Sequence, residues 1–303
     1  VKAKVVINAT GVFSDQIMKM DQPDVKPMIR PSQGIHLVLE KEFLDGPHAI
    51  MIPHTSDGRV LFAVPWYNHV VLGTTDTPID ETLEEPKPIE EEIDFILANA
   101  GQYMTKKPKR KDVKSVFAGL RPLAANQESD SETKEISRHH KINVSTSGLI
   151  SILGGKWTTY RKMAEDAINT ASVVAGLKEV KCSTHKLKLI GFKENIDFNH
   201  PLHAYGSDSD EISNIGTEKD NDSLSDKFYI SRNLIIWSIK KEMAIHLDDV
   251  LARRTRCLFL DAQETKKIAP TVAKIMAELL NKNESWIKNE LSFTNKIIKN
   301  YII

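Results

Sequence analysis

The segment Gly154-Gly155-Lys156-Trp157-Thr158-Thr159-Tyr160-Arg161 sets two glycines ahead of a lysine and an arginine. These are the residue types of an anion-binding turn. Glycine lets the backbone come close to a ligand, and the N–H groups and dipole of a helix start favour negative charge. Before the turn, Leu149 to Leu153 reads as a short apolar, partly β-branched strand. After it, Met163, Ala164, Ala167, Ile168, Ala171 and Val174 recur at helical spacing. Strand, glycine turn and helix in that order point to chemistry on a charged cofactor or substrate, although a plain tight turn has the same signature.

Other reactive residues have bland readings beside sharper ones. His36, in Gly34-Ile35-His36-Leu37-Val38-Leu39, reads by itself as a strand histidine satisfied by its neighbours. Its ordinary pKa of about 6.5 would also suit proton removal near neutral pH. Arg253-Arg254-Thr255-Arg256 could bind phosphate or anionic lipid, but Glu242, Asp248, Asp249 and Asp261 offer ordinary ion-pair partners. The run Lys106-Lys107-Pro108-Lys109-Arg110-Lys111 resembles an import or heparin patch and reads more simply as a solvated helix end with a proline stop. Cys182 and Cys257, far apart, suggest a reducing compartment and neither a disulfide scaffold nor a zinc site, so no metal is expected.

The elements that must position these residues follow from the pattern. With 303 residues, 41% hydrophobic, the chain can build a substantial core, about two domains. The balance of 41 basic and 41 acidic residues argues against nucleic-acid binding through bulk charge. No run of about 18 apolar residues suggests a membrane-spanning helix, while surface binding stays open. Gly34 to Leu39, Arg59 to Val64 and Val70 to Gly73 are β-prone runs suited to an antiparallel sheet. A helix is predicted from about Pro88 and Ile89, with Glu90, Glu91 and Glu92 complementing its dipole. From about 206 to 227, Ser, Asp, Asn and Gly predict a linker or long loop. Helical stripes follow, one of them through Ile268, Val272, Ile275, Met276 and Leu279.

Five further segments accompany the glycine turn: VVINATGVFSD (Val5 to Asp15), RPSQGIHLVL (Arg30 to Leu39), VLFAVPWYNHVVLGTTDTP (Val60 to Pro78), SVFAGLRPLA (Ser115 to Ala124) and EMAIHLDDVLARRTRCLFLDA (Glu242 to Ala262). In this order, nearly the whole chain resembles the FAD-dependent, quinone-linked glycerol-3-phosphate dehydrogenases. GGKWTTYRKMAEDA and LARRTR carry the glycerophosphate branch, while the other motifs are shared loosely with flavin-dependent amine and amino-acid oxidases. The resemblance implies α/β and α+β architecture: a partial FAD-binding Rossmann-like domain (1–25 and 146–185), an inserted antiparallel substrate-binding sheet (26–145) and a C-terminal α-helical domain (195–303). None of the 14 glycines falls into the GxGxxG pattern that such flavoproteins use for the ADP half of FAD. The chain is therefore expected to be the C-terminal part of a longer enzyme, inactive alone.

The reaction implied is oxidation of sn-glycerol 3-phosphate to dihydroxyacetone phosphate, with the C2 hydride passing to flavin N5 and electrons onward to a quinone. By the same resemblance His36 is the base and Arg121 polarises the C2 oxygen. Thr74, Arg138 and Lys156 contact the substrate, Arg138 and Lys156 through its phosphate. Thr10, Gly11, Gly154, Gly155, Lys156, Trp157 and Thr158 border the FAD. A loop ion pair is the alternative for Arg138. The family further implies a cytoplasmic enzyme, peripheral to the cytoplasmic membrane, and a homodimer. Three alternatives stand beside this reading: a glycerophosphate oxidase using O₂, an amine or amino-acid oxidase, and a non-catalytic interaction or structural module.

Overall fold

A computed structural model describes residues 1–104, 106–125 and 139–303. Chain order begins with β1 (Val6–Asn8), α1 (Ser14–Asp21), the long β2 (Ile29–Glu40), β3 (Ile50–Ile52), β4 (Leu61–Trp66), β5 (His69–Gly73) and β6 (Thr77–Pro78). It continues through α2 (Glu90–Ala100), β7 (Ser115–Ala124), β8 (His140–Val144), β9 (Leu149–Gly154) and α3 (Tyr160–Val174). Helices then dominate: α4 (Ser209–Asn214), α5 (Arg232–Lys240), α6 (Cys257–Leu260), α7 (Ala262–Leu279) and α8 (Glu284–Ile298). The mixed class expected from the sequence is the one observed. Two compact units divide the chain, one of Val1–Ile35, Thr75–Pro86 and Ala118–Leu187, the other of His36–Thr74, Lys87–Phe117 and Lys188–Ile303.

In the first unit, β1 and β9 pair in parallel, with Val6 opposite Leu149 and Asn8 opposite Ser151, and β8 adds antiparallel to β9. A parallel neighbour requires a crossover, and here the intervening chain is long. Met18 of α1, Ile29, Ala124 and Leu153 bury one another beneath this sheet. The carboxylate of Asp15 ties α1 to the start of β2 by accepting the N–H groups of Met28 and Ile29 at 2.9 and 3.1 Å.

In the second unit, β3, β4, β5 and the His36–Glu40 part of β2 run antiparallel, which fixes which side chains share a face. Leu37, Leu39, Val70, Leu72, Leu61, Ala63 and Ile52 are buried, as are Ile93 and Ile96 of α2, which packs on β4 and β5. Directly opposed residues point the same way, so His36, Gly73, Phe62 and Met51 lie on the other face. There Met51, Phe62 and Val64 are exposed. The helices enclose a core of Ile235, Leu247, Val250, Leu251, Cys257 and the Ile268, Val272, Met276 stripe.

The segment from about 206 to 227 is not the linker its composition predicts. Two 3-10 turns (His203–Asp208 and Glu218–Asn221) flank α4, and Ile212 is fully buried. Its polar groups are tied within the unit: Asn221 donates to Ser213 O, and Asn233 of α5 donates to Ser213 O and to Asn221 Oδ1. The basic run at 106–111 is ion-paired, Lys106 with Glu42, and Arg110 with Glu90 and Asp94. Arg254 donates to the Glu242 carbonyl at 2.6 and 3.1 Å, anchoring a π-helical turn (Asp249–Arg254).

Candidate active site

Two glycine turns sit at the carboxyl ends of adjacent parallel strands in the first unit. β1 ends at Asn8, and Thr10-Gly11 leads through a 3-10 turn (Gly11–Phe13) into α1. β9 ends at Gly154, and Gly155-Lys156 leads through a second 3-10 turn (Trp157–Thr159) into α3. In open α/β sheets, ligands bind beyond the carboxyl ends of the strands, where helix starts present N–H groups.

The backbone explains why glycine stands at these points. Gly11, Gly154 and Gly155 have φ of 62°, 70° and 90°, a region that side chains rarely tolerate. A Cβ on Gly155 would come within 2.5 Å of the Met163 thioether, and one on Gly154 within 3.0 Å of the His139 carbonyl. The buried Asn8 fixes the first turn: its Oδ1 accepts from the Thr10 hydroxyl (2.7 Å) and N–H (3.3 Å), while Nδ2 donates to Ser14 O and to Ser151 Oγ on β9. In the second turn, Thr159 Oγ1 accepts from the Lys156 N–H at 3.4 Å and donates to the Lys156 carbonyl at 3.0 Å. Lys156, Trp157 and Thr158 are exposed, and the Trp157 indole stacks on Tyr160, ring centroids 5.8 Å apart. Thr10, Gly11, Gly154, Gly155, Lys156, Trp157 and Thr158 are thus gathered at one end of one sheet. Positive-φ glycines, helix starts and a lysine suit an anionic, planar ligand edge.

Arg121 lies in β7 within the same unit. Its guanidinium donates to the Thr75 carbonyl at 3.0 Å and meets Asp76 Oδ1 at 3.5 Å. Asp76 is also tied to Ser32 Oγ, and Thr75 Oγ1 accepts from the Ile35 N–H at 3.0 Å. The charge is half-buried and held from one side by a carboxylate, a pre-oriented arrangement for polarising an oxygen.

The second unit holds His36 and Thr74. The His36 ring stacks on Phe117, centroids 5.1 Å apart and planes 21° from parallel. Phe117 meets Phe259 edge-to-face at 5.0 Å, and Phe259 meets Tyr301 in the same way at 5.5 Å. Thr74 directly follows Gly73, the strand partner of His36. Arg138 lies outside the described residues.

Three residues join the site that their residue types alone do not single out: Asp76 and Asn8, inside the quoted motifs, and Phe117, two residues into SVFAGLRPLA. Asp76 follows the Gly-Thr-Thr turn, and Asn8 ends a β-branched run just before Thr-Gly. Those positions suit a turn anchor. Nothing in local sequence links Phe117 to His36.

Residues 1–161 match the family described as FAD dependent oxidoreductase, more than half the chain. Residues 149–286 match the C-terminal domain of alpha-glycerophosphate oxidase. The mitochondrial glycerol-3-phosphate dehydrogenase of Bos taurus is 36% identical over 322 residues, covering 98% of this chain and 44% of that protein. Its counterpart in Arabidopsis thaliana is 34% identical over 331 residues, 99% of this chain and 52% of that protein. The chain spans about half the length of these curated relatives. Among solved structures, the FAD-complexed glycerol-3-phosphate dehydrogenase from Bacillus halodurans superposes with a TM-score of 0.81 at 27% identity, covering 100% of this chain and 63% of that one. The two glycine turns and the match over residues 1–161 agree, and the chain belongs to the FAD dependent oxidoreductase family.

Proposed function

We propose that this chain is part of an enzyme oxidising sn-glycerol 3-phosphate to dihydroxyacetone phosphate with FAD as cofactor. The single observation that carries the reading is the pair of positive-φ glycine turns ending parallel strands, in a chain whose relatives are named glycerol-3-phosphate dehydrogenases. The residues present fit the cofactor's anionic edge, because positive-φ glycines at the carboxyl ends of β1 and β9 lead straight into helix starts whose N–H groups favour negative charge. Bound FAD supplies the acceptor, at N5, for the hydride of substrate C2.

The chain's own residues take the remaining tasks. His36 removes the C2 hydroxyl proton, its ring held in one plane by Phe117. Arg121 hydrogen-bonds the C2 oxygen while staying charged at any working pH. Lys156 and Arg138 bind the phosphate, the first as a point charge and the second as a fork, and Thr74 adds a hydroxyl or backbone contact. Thr10, Gly11, Gly154, Gly155, Trp157 and Thr158 border the flavin. Residues 1–25 and 146–185 form the flavin-binding part, 26–145 the substrate sheet and 195–303 the helical domain.

Among the described residues no helix is long and apolar enough to cross a membrane. A homodimeric, peripheral enzyme at the cytoplasmic membrane passing electrons to quinone is the reading that the family resemblance implies. The match of residues 149–286 to a domain named for alpha-glycerophosphate oxidase favours O₂ as the alternative acceptor. Turnover of glycerol 3-phosphate by the full-length enzyme, measured in parallel with a soluble quinone and with O₂, tests both. Quinone reduction without peroxide supports the dehydrogenase, stoichiometric peroxide the oxidase, and no substrate-dependent flavin bleaching overturns the function.

A further inference from the structure

Cys182 and His185 are separated by two residues in the segment after α3, and a 3-10 turn (Thr184–Lys186) turns both toward that helix. Glu165 of α3 completes a trio whose donor atoms all lie within 4.8 Å of one another. In the sequence the two cysteines lie too far apart to suggest a zinc site. The third donor comes from a helix 17 residues upstream of Cys182, a proximity only the fold creates.

We propose that Glu165, Cys182 and His185 bind a divalent transition ion of the zinc type, with water in a fourth position. A thiolate, an imidazole and a carboxylate are the donors zinc prefers, whereas magnesium and calcium take oxygen alone. Around a tetrahedral ion, donors sit roughly 3.4–3.6 Å apart. His185 Nε2 and Glu165 Oε2 are already 3.8 Å apart, so small rotations of half-exposed side chains close the site. The Thr184 hydroxyl contacts Cys182 Sγ at 3.1 Å and holds the sulfur beside the other two donors.

One group competes. Arg161 Nη1 donates to Glu165 at 2.7 Å and to Thr184 Oγ1 at 3.2 Å, and lies 3.9 Å from Cys182 Sγ. A guanidinium therefore stands as the cation beside these donors. A partly exposed ion pair of this kind is weak, while a metal bonds all three donors at once. Arg161 tunes the affinity and does not close the site. An ion here would clamp residues 182–185 onto α3, the helix opened by the Gly154-Gly155-Lys156 turn. The site does not depend on the proposed reaction.

The test uses this chain stripped with a chelator and titrated with Co(II). The expected result is saturable one-to-one binding with a near-ultraviolet thiolate-to-cobalt band and four-coordinate visible bands, displaced by Zn(II) and not by Mg(II). Cys182→Ser should abolish the near-ultraviolet band. His185→Ala and Glu165→Gln should weaken binding by at least the roughly tenfold that losing even an outer partner costs. Arg161→Gln should tighten it. The second thiol cannot substitute, since burial pushes Cys257 up to about 12. In the unsubstituted chain, Zn(II) should also slow alkylation of Cys182. Absence of the thiolate band, its persistence in Cys182→Ser, or an alkylation rate indifferent to Zn(II) would each overturn the site.

Discussion

Gly73 stands opposite His36 on the β2–β5 ladder, and a Cβ there would enter the imidazole ring. The glycine is what lets the histidine lie flat between Gly73 and the ring of Phe117. Gly73→Ala should therefore displace His36 before it disturbs anything else. Overpacking of this kind costs about 1–3 kcal/mol. Loss of a general base costs roughly 10²–10⁴ in kcat. In the full-length enzyme the expected outcome is a modest fall in Tm with kcat dropping toward that of His36→Ala, while flavin absorbance is retained. If kcat stays at the wild-type value, His36 is a packed strand residue.

Phe117 carries the opposite side of the same ring and passes the contact to Phe259 and Tyr301. Phe117→Leu keeps an apolar side chain but removes the stacking surface, worth about 0.5–1.5 kcal/mol beyond area burial. Proton resonances of the His36 ring, assigned by comparison with His36→Ala, should move downfield as the ring current disappears. In the active enzyme kcat should fall with KM little changed. Unmoved resonances would show that the stacked pair does not persist in solution.

How much of this was legible in the sequence depended on the range of each signal. The glycine turn at 154–155, the strand before it and α3 after it were legible because each is set by neighbours within a few residues. So were β5 and α2, where Glu92 folds back on the Ile89 N–H as a dipole-matched start allows. The segment at 206–227 misled because Ser, Asp and Asn also cap and brace short helices, as Asn221 and Asn233 do here. The anchors of Arg121 and His36 were hidden for another reason. Asp76 is 45 residues from Arg121 and Phe117 is 81 from His36, so only strand register brings them together.

The helical part contains a histidine whose charge matters. His246 Nδ1 lies 2.9 Å from Glu290 Oε1, and Glu290 Oε2 accepts the Leu247 N–H at 2.8 Å. The hydrogen bond to Glu290 raises the His246 pKa above its ordinary value. Because the folded value exceeds the unfolded one, the stabilisation is fully present below about 6.5 and is lost as pH rises through the folded value. The imidazole is 56% exposed, so solvent screening limits the pair to no more than about 1 kcal/mol. His246→Gln should thus lower the urea midpoint near pH 5.5 and have a smaller effect near pH 8.5, well above the unfolded value of about 6.5. A larger difference at the alkaline end would reverse the assignment.

Lys156 offers the sharpest test of the substrate. It caps the 3-10 turn before α3 through its backbone, and its side chain is exposed, so its removal should cost little stability. If the ammonium binds a phosphate dianion, Lys156→Ala in the full-length enzyme should reduce kcat/KM for glycerol 3-phosphate by about ten- to a hundredfold, the range of a charge-assisted hydrogen bond. Unphosphorylated glycerol lacks that dianion and should be oxidised as slowly by the variant as by the parent. Arg138→Ala should behave alike, and the double variant should show whether the two cations share one phosphate, since groups on one ligand are not additive. Equal losses on glycerol and glycerol 3-phosphate would move Lys156 from the phosphate to the flavin edge, where the same turn sets its backbone.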